Sequence, residues 1–553
     1  MSQTILNFKD ITKPVTSVEE MSLWDNKASE EYGLHTNILM ENAGRAAFYS
    51  LKSHINLDDN GSVLVICGSG NNGGDGAVLS RCLHDFGCNV TLAHLKPLSR
   101  YTGAAKLHID LAKKCGVNFL YLRRGLHSIP NNLQTPDIIV DAILGTGVKG
   151  QLNTDFLDLI NWINSKRKHS YIFSIDIPSG LNAMTAEPLP VAIEAHLTVS
   201  FEAAKPALLL PQAKTYVGCL DIQQIGIPSK LKDTYPASYA CFNISSKLKE
   251  ILRPNENLHK GSAGSVIVVG GSKGLTGAPF LSALAAIRTG SGLVSIAAPS
   301  ELCPQIKSGN ANIMTIPLYK QNINSETIQE NLNEDWHPTL IKDLWLRLKT
   351  KKYNNLSLVL GPGMGRSPEA AQFLSLFFKL PISIEERMPL IVDADALFHL
   401  ANGVFEWTQL SEKDILTPHP GEAARLLKCQ IEDIENNRFE AIKELSKKTL
   451  ATVILKGAGT LISKQNNNKY PIIISHFAEP NLSVGGSGDV LSGICGSLAA
   501  KGFGSFESTA LGVYIHGLCG EYLKQKFPLR GNLASEIAES IPFVLANLEK
   551  NIV

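Results

Sequence analysis

Short apolar runs rich in β-branched residues alternate with helical stretches along this chain, and that alternation restricts its fold more than any other feature. SVLVIC (62–67), NVTLAHL (89–95), DIIVDAIL (137–144) and SYIFSIDIP (170–178) each read as a strand followed by a helix or loop. Strands alternating with helices imply βαβ units and a parallel sheet. The pattern ends near GCLDIQQIGIPSKL (218–231) and restarts at SVIVVGG (265–271), running on through GLVSIAAP, LSLVLGPG, PLIVDADAL and TVILKGAGT. At 553 residues the chain exceeds one hydrophobic core. Two α/β domains are therefore expected, over 1–230 and 251–553, with residues 231–250 as a linker. Ahead of the first strand, Thr16 with Glu19 three residues on reads as a capping box opening a helix.

Composition removes several classes of function. Lys+Arg 52 against Asp+Glu 51 leaves a net charge of +1, with no basic stripe for nucleic acid. No apolar run approaches the roughly 20 residues that span a bilayer. The opening MSQTILNFKDITK lacks the charged-then-apolar pattern of a signal peptide. The 10 cysteines form no C-x-x-C pair, as expected of free thiols in a reducing compartment. The expectation is a cytoplasmic protein that meets small molecules, with no nucleic-acid or membrane partner.

Residues 68–76, GSGNNGGDG, follow the first strand, and Gly68, Gly70 and Gly73 satisfy G-x-G-x-x-G. A dehydrogenase-type turn also needs an acid about 20 positions on, at the end of the second strand, to hold a ribose hydroxyl. That strand ends instead at His94 and Lys96. The loop still suits a phosphate at a helix N-terminus. Asn71, Asn72 and Asp75 add side-chain groups that an anion cradle alone does not require. Two further strands end at Asp141, before GTG (145–147), and at Asp176, before PSG (178–180). In a parallel sheet these ends share the ligand-binding edge. Singly, Asp141 and Asp176 read as turn or cap residues; converging with the glycine loop, they read as a site.

In the second half VGGSGDVLSG (484–493) sets three glycines before an Asp at an expected helix start. Glycine amides and the helix dipole make an anion hole, with Asp489 beside it to deprotonate a hydroxyl. These are the two parts that phosphoryl transfer requires. No stretch fits the P-loop, H-E-x-x-H or G-x-S-x-G patterns.

LMENAGRA, NNGGDG, DAILGTG and IDIPSGL, in this order, resemble the N-terminal domain of the NAD(P)H-hydrate epimerase family. The resemblance implies a Rossmann-like three-layer domain that interconverts the R and S hydrates of NADH and NADPH. It implies hydrate contacts from Asn71, Asn72, Gly73, Gly74 and Asp75, from Gly145, Thr146, Gly147, Val148, Lys149, Gly150 and Gln151, and from Asp176. It also implies a potassium ion at Asn72, Asp141 and Ser179, an oxygen-only set that suits a hard cation and not zinc. Asp176 is the first candidate for the acid–base residue and Asp141 the second. LGPGMG, VDADAL, TPHPGE, LKGAGT, GGSGD and GVYIHGLCGE together resemble the ADP-dependent NAD(P)H-hydrate dehydratase branch of the ribokinase-like fold. That resemblance implies a catalytic base at Asp489, hydrate contacts from Ala278, Gly363, His419 and Asp489, and adenine-nucleotide contacts from Lys456, Gly457, Ala458, Gly459, Thr460 and Gly488. It implies Mg²⁺ with ADP, and a homo-oligomer. Taken alone, His419 and Lys456 read equally as a satisfied structural histidine and a solvated strand-end lysine. The alternative reading is a vitamin-type small-molecule kinase fused to a nucleotide-binding module, which accounts for GGSGD and LKGAGT only.

Overall fold

The computed structural model describes residues 7–123, 126, 135–147, 150, 152–243, 252–253, 257–320, 335–349, 355–381, 387–465 and 469–550. The chain divides into two compact units, Lys13–Cys241 and a second that joins residues 7–12 to residues from Phe242 onward.

The first unit is built on a seven-stranded parallel sheet. From edge to edge its strands are Asn118–Tyr121, Asn89–His94, Ser62–Cys67, Ile138–Ala142, Tyr171–Ile175, Leu197–Phe201 and Cys219–Gln223. The central runs are buried on both faces, which is why SVLVIC and DIIVDAIL read as continuous apolar stretches rather than alternating ones. Chain order reverses between Ser62–Cys67 and Ile138–Ala142, the switch point at which doubly wound sheets bind ligands. Helix Asn71–Phe86 leaves the first of these strands, and Thr36–His54 packs against it.

In the second unit seven parallel strands run Met314–Leu318, Leu293–Pro299, Ser265–Val269, Leu356–Leu360, Leu390–Val392, Ile415–Leu416 and Thr452–Leu455. Antiparallel strands Leu461–Lys464 and Ile472–Ile474 extend this row. Helix Ser487–Ala500 is buried almost all round, as its apolar composition dictates. It packs closely on Gly277–Arg288, where a side chain at Gly493 would strike the Ser282 carbonyl. No described helix is long and apolar enough to cross a membrane.

Two local expectations differ from the structure. Ser17, not Thr16, caps helix Val18–Tyr32: its Oγ accepts from the Glu20 amide at 3.2 Å, and the Glu20 carboxylate accepts from the Ser17 amide at 2.8 Å. Thr16 is held in extended pairing instead, its amide donating to the Ala204 carbonyl at 3.0 Å. Of the expected linker 231–250, residues 244–250 lie outside the described residues, and 231–242 are not linker. They form helix Ser229–Thr234 and the fully buried strand Tyr239–Phe242, elements too short for periodicity to register.

Candidate functional sites

In the first unit a cavity of about 780 Å³ opens at the C-terminal ends of the central strands. Asn71, Asn72 and Asp75 reach it from the first turns of helix Asn71–Phe86; Gly145, Thr146 and Gly147 come from the loop after Ile138–Ala142, and Asp176 from the end of Tyr171–Ile175. The helix has no side-chain cap, so its leading amides face this edge. The glycines of the loop differ in role. A Cβ on Gly68 would collide with the Ile143 carbonyl and one on Gly73 with the Gly68 carbonyl, whereas one on Gly70 would meet nothing. Gly73 and Gly74 are buried in the helix, Gly74 against Met40, and do not line the cavity; neither does exposed Gly150. Val148, Lys149 and Gln151 lie outside the described residues.

Asp141 is wholly buried. Its carboxylate accepts from the Ser179 amide (2.8 Å) and hydroxyl (2.5 Å), the Ser174 hydroxyl (2.9 Å) and the Ile143 amide (3.3 Å). Burial pushes its pKa up against those donors. Ser179 Oγ also pairs with Leu144, whose carbonyl takes the Asn72 Nδ2 proton at 3.2 Å. That orients Asn72 Oδ1 inward, where it is buried without a hydrogen-bond partner. An orphaned amide oxygen costs roughly 1–3 kcal/mol unless a proton donor or a cation meets its lone pairs.

The sequence reading missed two groups here. Lys205, 1% exposed, sends its ammonium to the Asp176 carboxylate and to Ser200 Oγ at 3.2 Å. Asp176 itself adopts the left-handed region, φ 63°, a strained position for a residue with a side chain. Asp25, from helix Val18–Tyr32, lines the cavity as well. Burial raises its carboxyl to about 6, with Asp176 and Glu202 adding and Lys205 opposing. Burial first, then Asp176 and Asp25, holds Asp75 well above the usual carboxylate range. Position after the strand Leu197–Phe201 was an available signal for Lys205; nothing local marks Asp25.

A cavity of about 720 Å³ in the second unit is lined by His419, Lys456, Gly457, Ala458, Thr460, Gly488 and Asp489, together with Asp393, Glu422 and His516. Asp489 is the third residue of helix Ser487–Ala500. Its carboxyl is raised to about 7, first by burial and then by Asp393, with Lys456 opposing. Lys456 is no solvated strand-end lysine. Its Nζ lies 3.0 Å from the buried Asp393 carboxylate and 3.8 Å from Glu422. Asp393 also accepts from Thr417 and Ser492, both at 2.6 Å. Glu422 is likewise raised to about 7, mainly by burial. The Asp393 carboxylate, just after strand Leu390–Val392, and Lys456, just after Thr452–Leu455, meet because their strands end on one sheet edge. A Cβ on Gly488 would sit 3.1 Å from the Lys456 ammonium, so the glycine keeps that charge close to the helix start.

His419 caps helix Pro420–Leu427, its Nδ1 accepting from Gly421 at 3.0 Å and Glu422 at 3.4 Å. Burial and Lys456 lower its pKa, favouring this neutral acceptor form. His516 is held neutral by burial, at about 4, beside Ser487 Oγ at 3.1 Å. Gly363 and Ala278 adjoin each other, and neither they nor Gly459 lines the cavity. Among the described residues no group of three His, Cys, Asp or Glu side chains is placed to hold a metal.

Two α/β units, each with a cavity lined by charged side chains at its strand ends, have the organisation of a two-site enzyme. Residues 36–207 match the family described as YjeF-related protein N-terminus, and residues 266–543 match NAD(P)H-hydrate dehydratase. The bifunctional NAD(P)H-hydrate repair enzyme of Moorella thermoacetica is 34% identical, over 97% of this chain and 98% of its own length. Those of Escherichia coli and Leishmania major are each 30% identical, over 96% and 92% of this chain and 94% and 89% of their own lengths. Among solved structures, an ADP/ATP-dependent NAD(P)H-hydrate dehydratase from Bacillus subtilis, co-crystallised with ATP/Mg²⁺, has a TM-score of 0.44 at 22% identity, covering 54% of this chain and 97% of that one. The chain belongs to the bifunctional NAD(P)H-hydrate repair enzyme family, an epimerase unit preceding a dehydratase unit.

Proposed function

We propose that the first unit interconverts the R and S hydrates of NADH and NADPH, and that the second returns the S hydrate to the dihydronicotinamide with magnesium ADP as phosphoryl donor. The observation that carries this reading is Asp489, a carboxyl poised near 7 at the start of a helix behind three glycines. The hydroxyl at C6 of the hydrate is a poor leaving group. Asp489 takes its proton as the oxygen attacks the terminal phosphorus of ADP, and AMP departs. The Gly486 and Gly488 amides and Lys456 serve the transferring phosphoryl oxygens in this reading. The C6–O bond then breaks with phosphate leaving, the ring nitrogen supplying its electron pair, and loss of a C5 proton restores the ring. Lys456, Gly457, Ala458, Thr460 and Gly488 hold the nucleotide, and His419 holds the hydrate.

In the first unit Asn72 Oδ1, Ser179 and Asp141 form an oxygen set fitted to potassium, and the partnerless Asn72 oxygen supports that fit. Potassium there would offset the buried charge beside the hydrate phosphates. Asn71, Asn72, Asp75, Gly145, Thr146, Gly147 and Asp176, which line the cavity, contact the hydrate. The protein is cytoplasmic and homo-oligomeric in this reading. Hydrated NADH lacks the 340 nm band. Recovery of that band from a mixed R/S sample, complete and dependent on ADP and Mg²⁺, is the expected result. Recovery that stops at half would remove the epimerase assignment, and none at all would remove the dehydratase.

A further inference from the structure

Epimerisation at C6 needs the hydroxyl to leave one face of the ring and water to return on the other. The ring nitrogen can supply the electron pair for departure, but an acid must meet the leaving oxygen and a base must meet the incoming water. Enzymes that invert a comparable carbon beside a lone pair use two carboxyl groups in unlike environments. Such a pair lines the cavity of the first unit. Asp176 is paired with the Lys205 ammonium. Asp25 comes from a helix outside the sheet and has no such ion pair, and its Oδ1 is buried with no hydrogen-bond partner. The charged groups facing it are Lys205, Asp176, Glu202 and Asp75.

Resting on the epimerase reading, we propose that Asp25 is a second catalytic residue, the acid that protonates the departing C6 hydroxyl of the R hydrate, with Asp176 as the base toward the incoming water. The Asp25 proton passes to the hydroxyl oxygen, the C6–O bond breaks, and the nitrogen pair forms N1=C6 as water leaves. A second water then adds to C6 from the Asp176 side, the π pair returns to nitrogen, and the water proton goes to Asp176. From S to R the two carboxyls exchange roles, and exchange with solvent resets both. Water is released and consumed in equal amount, with no change of oxidation state. Asp25 acts here in its protonated form, and a carboxyl raised to about 6 retains that form further into the neutral range than an ordinary aspartate.

The test uses the full-length chain without ADP, the purified R hydrate of NADH, and water enriched in oxygen-18. Wild-type enzyme is expected to yield S hydrate carrying one labelled oxygen, at a rate that falls about tenfold per pH unit above about pH 6. Asp25→Asn should slow exchange about 100-fold or more and lose that dependence, while Asp25→Glu retains a readily measured rate. S hydrate formed without label would overturn the proposal, as would Asp25→Asn within threefold of wild type or with the alkaline fall intact. If Asp25→Asn fails to fold, the wild-type label and pH profile decide. Absence of any R/S exchange by wild type overturns the epimerase reading and this assignment with it, whereas exchange insensitive to residue 25 overturns only the assignment.

Discussion

Replacing Lys456 by methionine tests the electrostatics of the second site. The substitution keeps much of the side chain's volume and removes a charge whose Nζ lies 3.0 Å from Asp393 and 3.8 Å from Glu422. Asp393 is left with two hydroxyl donors, Thr417 and Ser492, and a side chain only 2% exposed. Breaking a buried pair costs about 3–5 kcal/mol, and the 18% exposure of the lysine argues for about 3. For a unit of roughly 300 residues, unfolding entropy near 2 cal/mol/K per residue turns that into a Tm lowered by about 5 °C. Because Lys456 also opposes the raised pKa of Asp489 and of Glu422, its loss moves both further up. Calorimetry should show the destabilisation at about pH 8 and a smaller one at about pH 5, where the stranded Asp393 takes up a proton. The companion variant Asp393→Asn and the double variant complete a cycle with an expected coupling of about 1.5 kcal/mol or more. Additivity within about 0.5 kcal/mol, or a melting transition unmoved at about pH 8, would refute the buried pair as the anchor of this site.

Asp489→Asn should reduce ADP-dependent recovery of 340 nm absorbance by about 10³-fold, within the range of general bases, while leaving R/S exchange intact; equal loss of both activities in a folded chain would contradict separate sites. As the base, Asp489 must be ionised, so the dehydration rate should fall about tenfold per pH unit below about 7, measured with saturating ADP. Stability has the opposite sign. Asp489 and Glu422 are raised above their unfolded values, so their contribution is full in acid and lost as pH rises through about 7, and the unliganded second unit should melt lower at about pH 8.5 than at about pH 6. Asp141→Ala should weaken epimerisation and abolish its potassium dependence with dehydration unchanged, read by titrating KCl against R/S exchange.

Strand–glycine–helix order was legible because each step is local: SVLVIC must be a strand, and GGSGD must open a helix. So was the helix-start position of Asp489. What could not be read is convergence over distance. Asp25 precedes Asp176 by about two-thirds of the unit's length, and packing of the helix that carries Trp24, whose indole donates to the Tyr235 carbonyl at 2.8 Å, brings its carboxyl to the cavity. Lys456 and Asp393 stand on strands separated by one other, a relation fixed by sheet order and not by spacing in the chain. The shift from Thr16 to Ser17 as cap arose because the preceding residue was already engaged with Ala204.

The unequal glycines of the first loop have a practical consequence. Two of the three that imitate a dehydrogenase fingerprint are bare because main chain abuts main chain, so any mutational drift there must break the turn. Gly70 has ordinary extended torsions, open space where a methyl would go, and a place on the cavity rim. It is the position at which an engineer could graft new side chains to retune which nucleotide enters, with the turn itself left standing.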